Sequence, residues 1–260
     1  MTDSNILIHT HYTKDKNIII LTLNRPMQLN AINFQLLEEL RQGLDEISKI
    51  PDLGALVIRS NHLKAFCTGV DVEYIRSLTN KMASDFFSKL AETLEKIIHF
   101  PCPTIASIDG YAFGAGADIA VACDIRVGNE SASFRFPGPQ FGLLLGTQRL
   151  MSEVGPSVVR HLALTNQVVT AEKALHYGLL HEIAENESAF EGALKYTEMT
   201  ANISERTYRL LKEISDGVNR LEPNQTTPSE YARKSVEQGD FAARFSTYIS
   251  QITSNKKRRV

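Results

Sequence analysis

Three short apolar runs, at 18–23, 55–60 and 104–108, alternate with two longer stretches whose apolar residues recur every three or four positions. Runs of that length and β-branched content read as strands, and the stretches between them as amphipathic helices. The first helix is marked at both ends. Phe34, Leu37, Leu40, Leu44, Ile47 and Ile50 share one face, Asn33 precedes them as an N-cap, and Pro51 stops the run. A second helix is expected over 82–100, closed by Pro101 and Pro103. Strand, helix, strand, helix, strand is the order of an α/β fold. From about Ala201 the chain turns polar and helical, with helices expected at 204–218 and 229–253. Neither has an apolar face strong enough to stand alone, so both need a surface to pack on. The chain therefore divides into a core over residues 1–200 and a C-terminal helical region over 201–260.

The bulk numbers narrow the function. A net charge of −2 creates no field that would draw nucleic acid or an anionic membrane. No apolar stretch reaches the roughly 20 residues that span a bilayer. Cys67, Cys102 and Cys123 are odd in number and lack metal-like spacing, so neither a disulfide framework nor a metal site is expected. The chain opens polar, as Met1-Thr2-Asp3-Ser4-Asn5, and a cytoplasmic location is the expectation. The basic run Lys256-Lys257-Arg258-Arg259 reads as a solvated tail.

Two loops carry the chemistry. Ala65-Phe66-Cys67-Thr68-Gly69-Val70-Asp71-Val72 follows the second strand, and Gly110-Tyr111-Ala112-Phe113-Gly114-Ala115-Gly116-Ala117-Asp118 follows the third. Each is a strand-to-helix turn of small residues, and the first N–H groups of a helix have no partner inside it. One such loop is ordinary packing. Two at successive strand ends can aim one N–H each at a common point, which is the geometry of an oxyanion hole. A phosphate-binding reading of Gly114-Ala115-Gly116 fails, because neither a Lys-Ser/Thr pair nor the full dinucleotide glycine spacing follows it. A serine hydrolase lacks its Gly-x-Ser-x-Gly elbow here, and the seven histidines bear no relation to a nucleophile.

The order of these segments resembles the enoyl-CoA hydratase/isomerase (crotonase) family. The likeness runs through Leu21-Thr22-Leu23-Asn24-Arg25-Pro26, Asn30-Ala31-Ile32-Asn33, both loops, Cys123-Asp124-Ile125-Arg126, Gly146-Thr147-Gln148-Arg149-Leu150 and the helix at 171–180. The resemblance covers about residues 6–185. It implies a crotonase-like spiral of β-β-α units and an acyl-CoA thioester as substrate, with no cofactor beyond the coenzyme A of that substrate. It also implies a homotrimer or a dimer of trimers, completed by the C-terminal helices. The faint match of Gln238-Gly239-Asp240-Phe241 to the family's closing motif is its weakest part.

Carried over residue by residue, the N–H groups of Val70 and Ala115 would hold the thioester oxygen as it becomes an enolate. Asp118, one turn into the second loop's helix, falls on the family's first catalytic carboxylate. A helix start favours its ionised form and burial opposes it, which can tune an acid or base. Met27, Leu29, Ala65, Cys67, Gly69, Asp71, Val72, Phe113, Gly114 and Gly138 would border the coenzyme and acyl path. Asp71 and Asp124 read as caps or loop anchors.

One departure weighs against borrowing a reaction. The family's hydratases use a second carboxylate after the segment matching Phe134-Arg135-Phe136-Pro137, where this chain has Gly138. No Asp or Glu lies between Glu130 and Glu153, and the loop at 138–146 is about three residues short. Two-carboxylate water addition is therefore in doubt, whereas one carboxylate suffices to shuttle a proton between two carbons. Tyr74, Gln140 and Tyr231 are candidates to hold a water. Two functions stay open: an enoyl-CoA hydratase or isomerase working with Asp118, and a non-catalytic relative that retains only the CoA-ester site.

Overall fold

A computed structural model describes residues 4–13, 16–184, 188–218, 227–237 and 241–257. Met1–Asp3, Gln238–Asp240 of the closing motif, the side chain of Tyr231 and the basic side chains at 256–259 lie outside the described residues. The first strand went unread in the sequence. β1 (Ile6–Thr13) pairs with β2 (Lys16–Leu23) in an antiparallel hairpin whose register runs from Ile6↔Leu23 to Thr13↔Lys16. β1 is an edge strand that buries Ile6 but leaves Ile8 exposed, so it carries little of the apolar signal that marks a central strand.

α1 (Phe34–Ile47) begins where Asn33 Oδ1 accepts from the Leu36 N–H. β3 (Leu53–Ser60) then runs parallel to β2. From here one unit repeats. The short β4 (Ala65–Cys67) leads to α2 (Val72–Arg76) and α3 (Asn80–Ile98), the latter capped by the Thr79 hydroxyl. β5 (Thr104–Ile108) passes to the short β6 (Tyr111–Phe113) and α4 (Ala115–Ala122). β7 (Ile125–Gly128) passes to the short β8 (Ser133–Arg135) and then to α5 (Thr147–Thr165). In each unit the first strand joins one sheet and the short strand joins another. β9 (Val169–Thr170), α6 (Ala171–Tyr177), β10 (Glu182–Ile183) and α7 (Ala189–Thr200) complete both sheets and the cover of the larger one.

The larger sheet is ordered β1-β2-β3-β5-β7-β10 and the smaller β4-β6-β8-β9. The expected spiral of β-β-α units is therefore the architecture of the chain. Successive short strands are parallel neighbours, so the loops leaving β4 and β6 emerge side by side. That adjacency builds the site.

Two charged residues, one fully and one partly buried, lock the spiral. Arg126 has no exposed side-chain surface; its guanidinium donates to the carbonyls of Cys123 (2.8 Å) and Leu179 (2.7 Å) and pairs with Glu153 at 2.7 Å. Asp124 accepts from the Thr104 N–H and hydroxyl and from the Tyr208 hydroxyl, each at 2.8 Å, and pairs with Lys212. Asp124 is the anchor expected of it. It ties α8 (Glu205–Val218) to the core. Within the helix expected over 229–253, the described residues form α9 (Pro228–Glu237), packed on α3, and α10 (Phe241–Lys257). Among the described residues, no helix is long and apolar enough to cross a membrane.

Candidate active site

The β4 loop is built to spare one N–H. Ile32 N–H donates to Gly69 O at 2.8 Å, and Ile32 O accepts from the Asp71 N–H at 2.9 Å. Val70 sits between those two bonds with its own N–H unspent. Asp71 then caps α2, accepting from Glu73 and Tyr74, and its other oxygen pairs with Arg25 at 2.7 Å. Its pKa is lowered: burial pushes it up, but the Arg25 guanidinium and the cap N–H groups outweigh that. Asp71 is structural.

The β6 loop repeats the device. Gly114 N–H is taken by Arg135 O at 2.8 Å, and the first α4 bond is Asp118 N–H to Gly114 O at 3.0 Å, which leaves Ala115 at the free helix start. Both turns depend on left-handed glycines, Gly69 at φ +95° and Gly114 at φ +52°. A Cβ on Gly69 would lie 2.9 Å from Phe113 O and 3.6 Å from Ala115 N, so the two loops are in contact. Among the described residues, no hydrogen bond uses the Val70 or the Ala115 N–H.

Both loops open on a cavity of about 580 Å³. Of the residues singled out in the sequence, Leu29, Gly69, Val70, Asp71, Val72, Phe113, Gly114, Ala115, Asp118 and Gly138 line it. Three expected residues stand elsewhere. Met27 lies in a short 3₁₀ turn and is 87% exposed, and its neighbour Gln28 reaches the cavity instead. Ala65 and Cys67 are fully buried behind the wall. The Cys67 thiol, bonded to Asn30 O at 3.1 Å, is pushed by burial up to about 12, which leaves it protonated and unreactive.

Much of the lining is hydrocarbon: Phe136, Phe141, Leu143, Leu145, Leu150 and Val159, together with Phe245, Ile249 and Ile252 of α10, whose Phe245 ring packs 5.3 Å from that of Phe141. Asp71, Glu73 and Asp118 are the cavity-lining carboxylates. Asp71 is committed to Arg25, and Glu73 pairs with Arg76 at 3.2 Å. Asp118 has no cationic partner among the described residues. Desolvation pushes its carboxyl from 3.8 up to about 7, against the pull of a hydrogen bond from the Gly146 N–H. Burial thus outweighs the helix start, and the group sits at neutrality with one edge facing the cavity.

The second carboxylate position is closed. Gly138 opens a 3₁₀ turn whose chain returns so tightly that a Cβ there would meet Leu143 O at 2.8 Å. Of the substitutes suggested by sequence, Gln140 and Tyr74 do not line the cavity, and the Tyr231 side chain lies outside the described residues. Gln140 spends its amide on the carbonyls of Ala163 (3.0 Å) and Leu164 (3.3 Å), and Tyr74 packs edge-on against Phe86. Sequence reading gave no role to Gly146 and Thr147, which line the cavity at the start of α5, nor to the α10 side chains. Gly146 lay inside a motif already noted; the α10 residues carried no signal beyond helical spacing.

The chain is thus a spiral of β-β-α units in which two such loops border a largely apolar cavity. The sequence pattern of the enoyl-CoA hydratase/isomerase family matches residues 13–240, and the chain belongs to that family. It is 32% identical over 225 residues to a probable enoyl-CoA hydratase of Mycobacterium tuberculosis, covering 85% of this chain and 83% of the relative. It is 28% identical to a crotonyl-CoA hydratase of Syntrophomonas wolfei, with 83% of each chain covered. The crystal structure of an enoyl-CoA hydratase from Bacillus anthracis superposes with a TM-score of 0.77 at 26% identity, over 98% of this chain and 97% of that one.

Proposed function

We propose that this enzyme binds an acyl-CoA ester with its thioester oxygen between the N–H groups of Val70 and Ala115, and uses Asp118 alone to move a proton. Two fixed donors aimed at the oxygen stabilise the enolate as charge develops, without reorganisation. Ionised Asp118 takes a proton from the α-carbon of a 3-enoyl-CoA and returns it to the γ-carbon, and the double bond moves into conjugation. No water and no electron acceptor is consumed, so no cofactor is required. The observation that carries this reading is that Asp118 lines the cavity without an ion-pair partner among the described residues, while Leu143 O crowds any side chain at Gly138. The hydrocarbon lining fits an apolar acyl chain.

Hydration of a 2-enoyl-CoA is the second reading, favoured by the names of the relatives. Incubation with 3-hexenoyl-CoA and 2-hexenoyl-CoA in deuterated buffer separates the two. Conversion of 3-hexenoyl-CoA to 2-hexenoyl-CoA, with or without solvent deuterium, supports the first reading, and water addition without it supports the second. CoA-ester binding with neither reaction would leave a binding module. We infer a cytoplasmic homotrimer or dimer of trimers as the working form.

A further inference from the structure

Asp118 meets the start of α5 at closer range than any side chain at that point would allow. Gly146 donates its N–H to the Asp118 carboxylate. A Cβ on Gly146 would stand 2.3 Å from Asp118 Oδ1 and 2.7 Å from its Cγ, so even one methyl would displace the carboxylate. The same segment is held from its other end, where Leu143 N–H bonds Gly138 O at 2.9 Å and Leu143 O crowds Gly138. The short loop thus brings the first residues of α5 onto the carboxylate, and fixes how far that carboxylate extends.

We propose that Gly146 is a positioning residue for this reaction, holding Asp118 at the one reach that faces the α-carbon, so that the site accepts aspartate and rejects glutamate. Among the described residues, Asp118 has no ion-pair partner and is otherwise carried by α4. An unpaired carboxylate on a short stem has two rotatable bonds, and the Gly146 contact removes that freedom. An extra methylene at position 118 would shift the carboxylate off the Gly146 N–H that now holds it. The inference rests on Asp118 being the proton-transfer group and says what makes it competent.

The test uses the full-length enzyme, with α-deuterium incorporation into 3-hexenoyl-CoA as the readout. Gly146→Ala is expected to lower kcat about a hundredfold, the scale of an ångström misplacement, with KM within a few-fold of the parent. Because the displaced carboxylate loses a hydrogen bond to its ionised form, the midpoint of the pH–rate profile moves upward. A role in packing alone would leave that midpoint where it was. Asp118→Glu, which leaves the α5 backbone untouched, is expected to lose activity on the same scale, and it decides the question if Gly146→Ala does not fold. Parental kcat in Gly146→Ala, a loss confined to KM, an unmoved pH midpoint, or a fully active Asp118→Glu each overturns the proposal. Full activity in Asp118→Asn would instead overturn the assignment of Asp118.

Discussion

Asp118 combines an activity and a cost in one carboxyl. As a base it must be ionised, so the proton-exchange rate is expected to climb with pH up to about 7 and then level. Asp118→Asn should lose 10²–10⁴-fold, the usual contribution of a positioned acid or base, measured as deuterium uptake. The folded-state pKa lies above its ordinary value of 3.8. Stability is therefore greatest below that value, declines as pH rises, and has lost its full share above about 7. Asp118→Asn should consequently unfold at a higher temperature than the parent at pH 8, with the gap shrinking to nothing at pH 4. Scanning calorimetry at the two pH values checks both the sign and the window. This residue was legible in the sequence because a pattern of neighbours located it. Its contact with Gly146 was not, since nothing local to either residue records a meeting made by tertiary packing.

Among the elements, the loop between β8 and α5 holds Gly138, where the resemblance to hydratases leads one to expect a second carboxylate. Gly138→Glu would restore the missing carboxylate in name only: its Cβ would collide with Leu143 O. The variant is expected to gain no measurable hydration of 2-hexenoyl-CoA and to unfold at lower temperature than the parent. Arg126, at the other end of α4, shows what the spiral needs. Arg126→Ala would strip donors from two buried carbonyls and a partner from Glu153, and should destabilise by about 3 kcal/mol or more in urea unfolding. The central strands and the first two long helices were readable from periodicity and capping, because burial on both faces or on one stripe leaves that trace. β1 was not, being exposed on one side.

At the scale of the molecule, α8 presents Leu210, Leu211 and Ile214 to solvent, at 48%, 59% and 66% exposure, though Tyr208 and Lys212 fasten it to Asp124. An apolar helix face of that kind on a single chain suits contact with another subunit. Light scattering is expected to find an assembly larger than a monomer, and Leu211→Glu with Ile214→Glu to shift it toward smaller species. A monomeric parent would dismiss the trimer. Family membership and the spiral were both legible from ordinary motifs in a fixed order. Assembly was not, because the surfaces that would form it share no local pattern with the site.

Part of the cavity lining is contributed by α10, through Phe245, Tyr248, Ile249 and Ile252. Synthesis runs from the N-terminus, so the backbone donors and Asp118 are made well before the wall that encloses the acyl chain. A nascent chain stalled before residue 241 would carry the chemical groups without an enclosure. Retention of an acyl-CoA should therefore arrive abruptly, as one of the last events in the birth of the molecule.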